Sequence, residues 1–211
     1  SDVCSSDLNH LRPNELHLSD KYVDSDISMK LTADFTGRSI DDLKGFILLD
    51  SLKLNAPEEQ AYFLDNLTII ADSNKEGKDI RIESPFMNAS IQGNFSLQNL
   101  PNCIMHTMEQ YLPSLVDDKH LSHTTSNDIH FDIRVENTEL FEKVLHIPVQ
   151  MHMPSTLKGY FNDKDNSLRV EGFFPQLTYK GTRYESGNFF CESMPDQINC
   201  QVRGGMLMKS G

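Results

Sequence analysis

The sequence predicts a mainly β protein built on an elongated, antiparallel-rich sheet, and three observations lead to this fold class. Alternation of apolar and polar residues with a period of two recurs along most of the chain. Such alternation is typical of strands that bury one face and expose the other. Short polar connections separate the alternating runs. Only two short segments, near residues 100–112 and 138–145, have the apolar spacing of α-helices.

Composition limits the classes of partner. The 211 residues carry a formal charge of −12, and 38% of them are hydrophobic. We expect no nucleic-acid partner and no binding to anionic membrane surfaces, because both require a basic footprint. No apolar run is long enough to cross a bilayer as a helix.

The chain divides into four parts by composition. Residues 1–8 resemble the translation of a sequencing-library adapter, so we expect them to be non-native, and residues 9–25 form a polar, irregular lead-in. Residues 26–205 are the β-rich segment. Residues 206–211 contain no terminating element, so we expect a truncated end and a fragment of a longer protein.

The first elements of the β-rich segment are two strands. Alternation predicts a strand over Ile27–Phe35 and another over Phe46–Leu54. Ser39 has the position of an N-cap for a single helical turn between them.

A meander of three antiparallel strands, residues 61–97, is the organising stretch of the chain. Its polar connections are short, and Gly77 is available for a positive φ. The alternation places one apolar set on a single face: Leu67, Ile69, Ala71, Ile80, Ile82, Met87, Ala89, Ile91, Phe95 and Leu97.

The two predicted helices interrupt the later strands. Pro101 suits the first turn of the helix near 100–112, and Pro113 ends it. Asn137 is placed to cap the helix near 138–145. Alternation predicts a strand over Ile129–Val135 and several short strands from Val149 onward.

A five-residue pattern with a central glycine occurs four times, around Gly45, Gly93, Gly159 and Gly172. The flanking apolar residues and the glycine share one face of a strand, and the glycine leaves room for a neighbour or for a bend. The pattern is consistent with a repetitive, curved sheet. An ordinary scatter of glycines in a β protein is the alternative.

The last two cysteines flank a short turn. Cys191 and Cys200 lie directly opposite each other if the residues between them form a hairpin loop. A cross-strand disulfide and two reduced core cysteines are both compatible with this spacing, and the disulfide would imply an oxidising compartment.

No motif indicates catalysis. Nucleophile-elbow, phosphate-loop and dinucleotide-binding patterns are absent from the sequence. We expect no enzymatic activity, no catalytic residues, no cofactor and no metal site.

Several short segments of the sequence resemble the TamB (translocation and assembly module) family, which is related to the AsmA group. They are Leu64–Ile69, Ile82–Phe86 with Gly93–Phe95, Tyr111–Leu115, Asn137–Phe141 and Gly172–Pro175. The resemblance covers most of residues 25–205 and implies an internal portion of a groove-shaped or taco-like β-sheet that crosses the periplasm of a Gram-negative envelope. It also implies a parent protein anchored in the inner membrane. The anchor and the partner-binding domain of the family are absent from this chain.

The resemblance implies transport of phospholipid, or of another acyl-chain ligand, to the outer membrane, and assembly work with an outer-membrane protein. Membrane contact would occur only through parts that this chain lacks. A sheet with one apolar face suits acyl chains, because each buried methylene contributes roughly 0.8 kcal/mol. The expected lining residues are Leu67, Ile69, Ile80, Ile82, Met87, Ala89, Ile91, Phe95, Phe131, Ile133 and Val135.

Three alternatives remain open at this point. The same residues could pack against the two helices as a closed core. The chain could be a closed β-domain that binds a sugar or a protein and has no lipid role. It could also be a hydrolase of unrecognised type, which would need a pocket that brings two carboxylates together near a histidine.

Overall fold

A computed structural model describes residues 4–11, 26–55, 62–74, 77–100, 103, 126–138, 149–151, 153–194 and 197–207. These residues form one open antiparallel sheet of twelve strands. The strands are β1 (Cys4–Leu11), β2 (Asp26–Thr36), β3 (Lys44–Asn55), β4 (Tyr62–Asn74), β5 (Gly77–Glu83), β6 (Met87–Asn94), β7 (Asp128–Val135), β8 (Val149–Met151), β9 (Ser155–Asn162), β10 (Ser167–Tyr179), β11 (Thr182–Met194) and β12 (Gln197–Leu207).

The order of strands in the sheet follows the order in the chain. Each strand pairs with its neighbour in sequence, except that β7 pairs with β9 and the three-residue β8 pairs with the end of β10. Within the described ranges, β1 and β12 are the outermost strands. Local connections of this kind need little chain to link antiparallel neighbours, which explains the short polar turns in the sequence.

The predicted β architecture is confirmed. The alternating runs at 27–35, 46–54 and 129–135 become β2, β3 and β7, and the predicted meander becomes β4, β5 and β6. One strand, β1, was not predicted. It covers residues 4–11, a region that the sequence assigned to an adapter-like segment and an irregular lead-in.

The predicted single turn is a 3₁₀ turn at Ile40–Asp42. The hydroxyl of Ser39 does not cap the turn by accepting a backbone N–H; it donates to the Asp42 carboxylate at 3.0 Å.

The two predicted helices lie almost entirely outside the described residues. Two i→i−4 hydrogen bonds belong to the start of the first segment, since the N–H groups of Leu100 and Cys103 donate to the carbonyls of Ser96 and Asn99 at 2.9 and 3.0 Å. Of the second segment only Thr138 is described, and its hydroxyl accepts a hydrogen bond from the Met151 N–H at 2.9 Å.

Two serines with a left-handed backbone conformation lie beside shifts in strand register. Ser51 in β3 has a φ of 57°, and the pairing of β2 with β3 shifts beside it. Ser186 in β11 has a φ of 51°, beside the shift between β11 and β12. An extra residue in one strand of a pair is a β-bulge, which resets which side chains face the apolar side.

Candidate functional site: the apolar face

Two uninterrupted rows of apolar or small residues cross the sheet perpendicular to the strands. The first row runs from β2 to β12 through Ala33, Ile47, Ile69, Ile82, Ala89, Ile133, Leu157, Gly172, Phe189 and Val202. The second row runs beside it through Phe35, Gly45, Ala71, Ile80, Ile91, Phe131, Gly159, Val170, Cys191 and Cys200. We call these two rows the apolar strip.

The register brings most of the sequence-predicted lining residues into or beside the apolar strip. Ile69, Ile82, Ala89 and Ile133 belong to the first row, and Ile80, Ile91 and Phe131 belong to the second. Leu67 lies opposite Leu49 next to the first row, and Met87 lies opposite Val135. Phe95 is different, because it follows the end of β6 and is buried in a cluster beside the second row.

The side chains of the apolar strip are mostly half-buried. Ala89 is buried, whereas its row neighbours Ile82 and Ile133 are partly exposed. Leu157 and Val202, further along the same row, are 37% and 70% exposed. The interior of a closed β-domain buries such side chains almost completely. The strip therefore retains apolar surface that contacts solvent or a ligand.

Glycines in the strip lie opposite large side chains. A Cβ at Gly159 would come within 3.0 Å of the Phe131 ring, and a Cβ at Gly172 within 3.2 Å of Leu157 Cδ1. The ring of Phe174 occupies the space beside Gly187. The large residue of each pair lies over the glycine on the neighbouring strand, so cross-strand packing accounts for Gly159 and Gly172 of the sequence pattern. Gly45 and Gly93 have φ values of 142° and 135°, which favour glycine for a different reason.

Two buried clusters bound the apolar strip. Along the side next to the second row, Phe95 and Cys103 pack with Ile129 and Phe161. Along the opposite side, Phe86 packs with Tyr62 and Leu64. The strip between these clusters is the least covered part of the face.

Hydrogen bonds to the Asp41 carboxylate hold the first cluster in place, and we call this set of contacts the Asp41 latch. The Asp41 carboxylate accepts hydrogen bonds from Lys78 Nζ at 2.8 Å, from Ser96 Oγ at 2.8 Å and from the Leu97 N–H at 2.6 Å. Lys78 Nζ also donates to the Phe95 carbonyl and lies 5.2 Å from the centre of the Phe95 ring. The latch thus ties the loop after β2 to the segment that carries Phe95.

Burial alone would raise the pKa of Asp41, but hydrogen bonds from Lys78, Ser96 and Leu97 outweigh it and hold the pKa below 3.8. Lys78 is the only charged residue on the strip side of β4 to β10 among the described residues, and the Asp41 carboxylate neutralises it.

Asn127 connects the same cluster to the turn after β9. Its side chain is fully buried. The Asn127 amide accepts a hydrogen bond from the Ser96 N–H at 2.9 Å and donates to Asp163 Oδ2 at 2.6 Å and to Cys103 Sγ at 3.0 Å. A buried amide with all of these partners fixes one arrangement of the surrounding segments.

Cys191 and Cys200 lie directly opposite each other in the β11–β12 hairpin and are joined as a disulfide, with a Cα–Cα distance of 4.1 Å. The bond lies at the end of the second row. Of the two alternatives for these cysteines, the structure contains the oxidised one.

Among the described residues, no three His, Cys, Asp or Glu side chains converge as metal ligands. Within the described ranges, no helix has the length and apolar character needed to cross a bilayer.

The sequence pattern did not identify the Asp41 latch or Asn127. The Asp41-Asp42 pair has the composition of a solvated turn, and its partners lie 37 to 56 residues away. The available signal was Lys78, which alternation places on the same face as Ile80 and Ile82, although it falls in the predicted polar connection. A cation on an apolar face requires a counter-charge.

Comparison with protein-family models, with curated proteins and with solved structures finds no match for this chain, so its functional interpretation rests on the geometry of the sheet.

Proposed function

We propose that the apolar strip shields the acyl chains of phospholipid from water and lets them move along the sheet. The observation that carries the proposal is the pair of uninterrupted, half-buried apolar rows from β2 to β12. Nothing in this role requires a reactive group. The protein would act as a conduit and not as an enzyme.

The dimensions of the strip suit acyl chains. Neighbouring strands lie about 4.8 Å apart, so rows that cross about ten strands extend roughly 43 Å. One leaflet of a bilayer contains chains about 15 Å long, since the hydrocarbon core is about 30 Å thick. A chain aligned with the rows meets a similar apolar surface at each step, and each methylene removed from water contributes about 0.8 kcal/mol.

Within this proposal, the chain is a segment of a TamB-like or AsmA-like envelope protein. The parent protein is anchored in the inner membrane and carries phospholipid across the periplasm, and it supports outer-membrane assembly together with an outer-membrane partner. The short sequence segments that resemble this family support this role of the parent protein. The Cys191–Cys200 disulfide is consistent with an oxidising compartment such as the periplasm.

A pair of matched substitutions tests the strip. Leu157 and Thr156 are adjacent exposed residues of β9, and their side chains point to opposite faces. Leu157→Asp places a carboxylate on the apolar strip, and Thr156→Asp places the same group on the polar face. The full chain is expressed in bacteria and purified, and its co-purified phospholipid is quantified by mass spectrometry.

We expect Leu157→Asp to lower the bound phospholipid by about tenfold, because a carboxylate placed among acyl chains costs more than 1.4 kcal/mol. Thr156→Asp should retain the wild-type amount. Ile91→Asp, in the centre of the second row, should repeat the loss, and circular dichroism checks that each variant is folded. Equal phospholipid in all variants, or none in the wild type, would contradict the proposal.

A further inference from the structure

The polar face of the sheet has a depression of its own. It has a volume of about 520 Å³ and lies over β6, β7, β9 and β10. Volumes of roughly 300–1,000 Å³ are usual for small-ligand sites. We call it the polar-face cleft, and its side chains come from two cross-strand rows: Ser90, Asp132, Lys158 and Glu171, and Gln92, His130, Tyr160 and Arg169.

Two rings lie side by side in the cleft. The centroids of His130 and Tyr160 are 5.9 Å apart, and the rings are tilted by 37°. Tyr160 is half-buried between the neighbouring strands. A ring in this position offers a flat surface against which the C–H face of a ligand can pack.

One carboxylate of the cleft is held in a fixed position. Glu171 Oε1 accepts from Arg169 Nε at 3.0 Å and from Arg169 Nη2 at 2.6 Å, while Glu171 Oε2 lies 3.6 Å from Lys158 Nζ. The Arg169 guanidinium is itself positioned over the Phe190 ring and beside Glu192. Glu171 is thus an oriented acceptor whose geometry is set before a ligand arrives.

Other polar groups of the cleft are available. Within the part of the chain that the structure describes, Ser90, Gln92 and Asp132 make no side-chain hydrogen bond or ion pair with the protein. They add a hydroxyl, an amide and a carboxylate, which together both donate and accept hydrogen bonds.

The balance of charge decides the class of ligand. Asp132 and Glu171 are matched by Lys158 and Arg169, so the cleft is formally neutral when His130 is neutral. The whole chain carries −12 and repels anions at long range. A neutral, hydroxyl-rich ligand satisfies the mixed donors and acceptors without adding charge. We infer that the polar-face cleft binds a neutral saccharide, with one sugar ring packed on Tyr160.

Saturation-transfer NMR on the full chain tests the inference with three tetrasaccharides. Maltotetraose and tetra-N-acetylchitotetraose are the neutral probes, and tetragalacturonic acid is an anionic probe of similar size. We expect transfer to at least one neutral probe and none to the anionic one. No transfer to either neutral probe, or stronger binding of the anionic one, would overturn the inference.

Substitutions locate the binding. Tyr160→Ala should weaken affinity by about tenfold, and Tyr160→Phe, which keeps the ring, by less than about threefold. Phe173→Ala is the matched control, because Phe173 is 43% exposed and lies opposite Thr156, outside the cleft. If Phe173→Ala weakened binding as much as Tyr160→Ala, the site would not be the polar-face cleft. Leu157→Asp should leave saccharide binding unchanged, which separates this site from the proposed lipid role.

Discussion

At the scale of single residues, Asp41 determines how one side of the apolar face is closed. Its carboxylate accepts from a side-chain ammonium, a hydroxyl and a backbone N–H that belong to β5 and to the segment after β6. Charge-assisted hydrogen bonds of this kind are roughly twice as strong as neutral ones. The latch places Phe95 over Ile129 and Phe161, and the open part of the strip begins beyond it.

We predict that Asp41→Asn lowers the free energy of unfolding by about 2 kcal/mol at neutral pH, because it leaves the Lys78 ammonium without its counter-charge. Urea denaturation followed by circular dichroism measures the change. Asp42→Asn is the matched control. The Asp42 side chain is exposed and, among the described residues, is hydrogen-bonded only to the Ser39 hydroxyl, so this change should stay within about 0.5 kcal/mol.

The pH dependence of the same pair follows from the lowered pKa of Asp41. A carboxyl whose folded pKa lies below 3.8 stabilises the protein fully above that value and loses its contribution as the pH falls through the folded pKa. The difference between the wild type and Asp41→Asn should therefore shrink in acid below pH 3.8. If the difference in unfolding free energy stayed constant until Asp41 was fully protonated, the ionised carboxylate would not be what stabilises the latch.

At the scale of elements, alternation predicted the strands and their faces, because a period of two is a local property of the sequence. The positions of Leu52 and Leu64 show where this fails. Beside the left-handed Ser51 the pairing of β3 with β2 shifts. Leu52 and its partner Leu64 join the apolar side there, although the simple alternation from Leu49 and Leu67 assigns them to the other face. A serine in this conformation has no clear signal in the sequence, since glycine is the residue expected there.

The β11–β12 hairpin depends on its cross-link. The Cys191–Cys200 bond closes a loop with a sequence separation of 9. A loop of this size gives about 2.7 kcal/mol in the chain-entropy model. We predict that a reductant lowers the unfolding free energy of the wild type by about that amount.

The Cys191→Ser, Cys200→Ser double variant should match the reduced wild type and should not respond to reductant. Cys103→Ser tests specificity, because Cys103 is buried and outside the disulfide, so the response to reductant should persist in that variant. A wild type with the same unfolding curve in both conditions would contradict a stabilising cross-link.

At the scale of the whole molecule, two faces of one sheet have different chemistry. The apolar strip was predictable because its residues alternate along each strand, but its continuity depends on the register of all neighbouring pairs. The polar-face cleft was not predictable. Its opposing charges come from strands that are distant in sequence, such as Asp132 in β7 and Arg169 in β10. Single-residue patterns carry no information about such combinations.

The open sheet predicts a gradient of amide protection. Strands β5 to β7 are paired on both sides, whereas β12 is paired only with β11 among the described strands. Local opening free energies range from about zero at frayed edges up to the global value in central strands. We expect hydrogen exchange, followed by NMR, to show the slowest amides in β5–β7. In β12, amides directed at β11 should be protected and the alternate ones should exchange quickly. Uniform protection along β12 would contradict this and show that another strand covers that edge in solution.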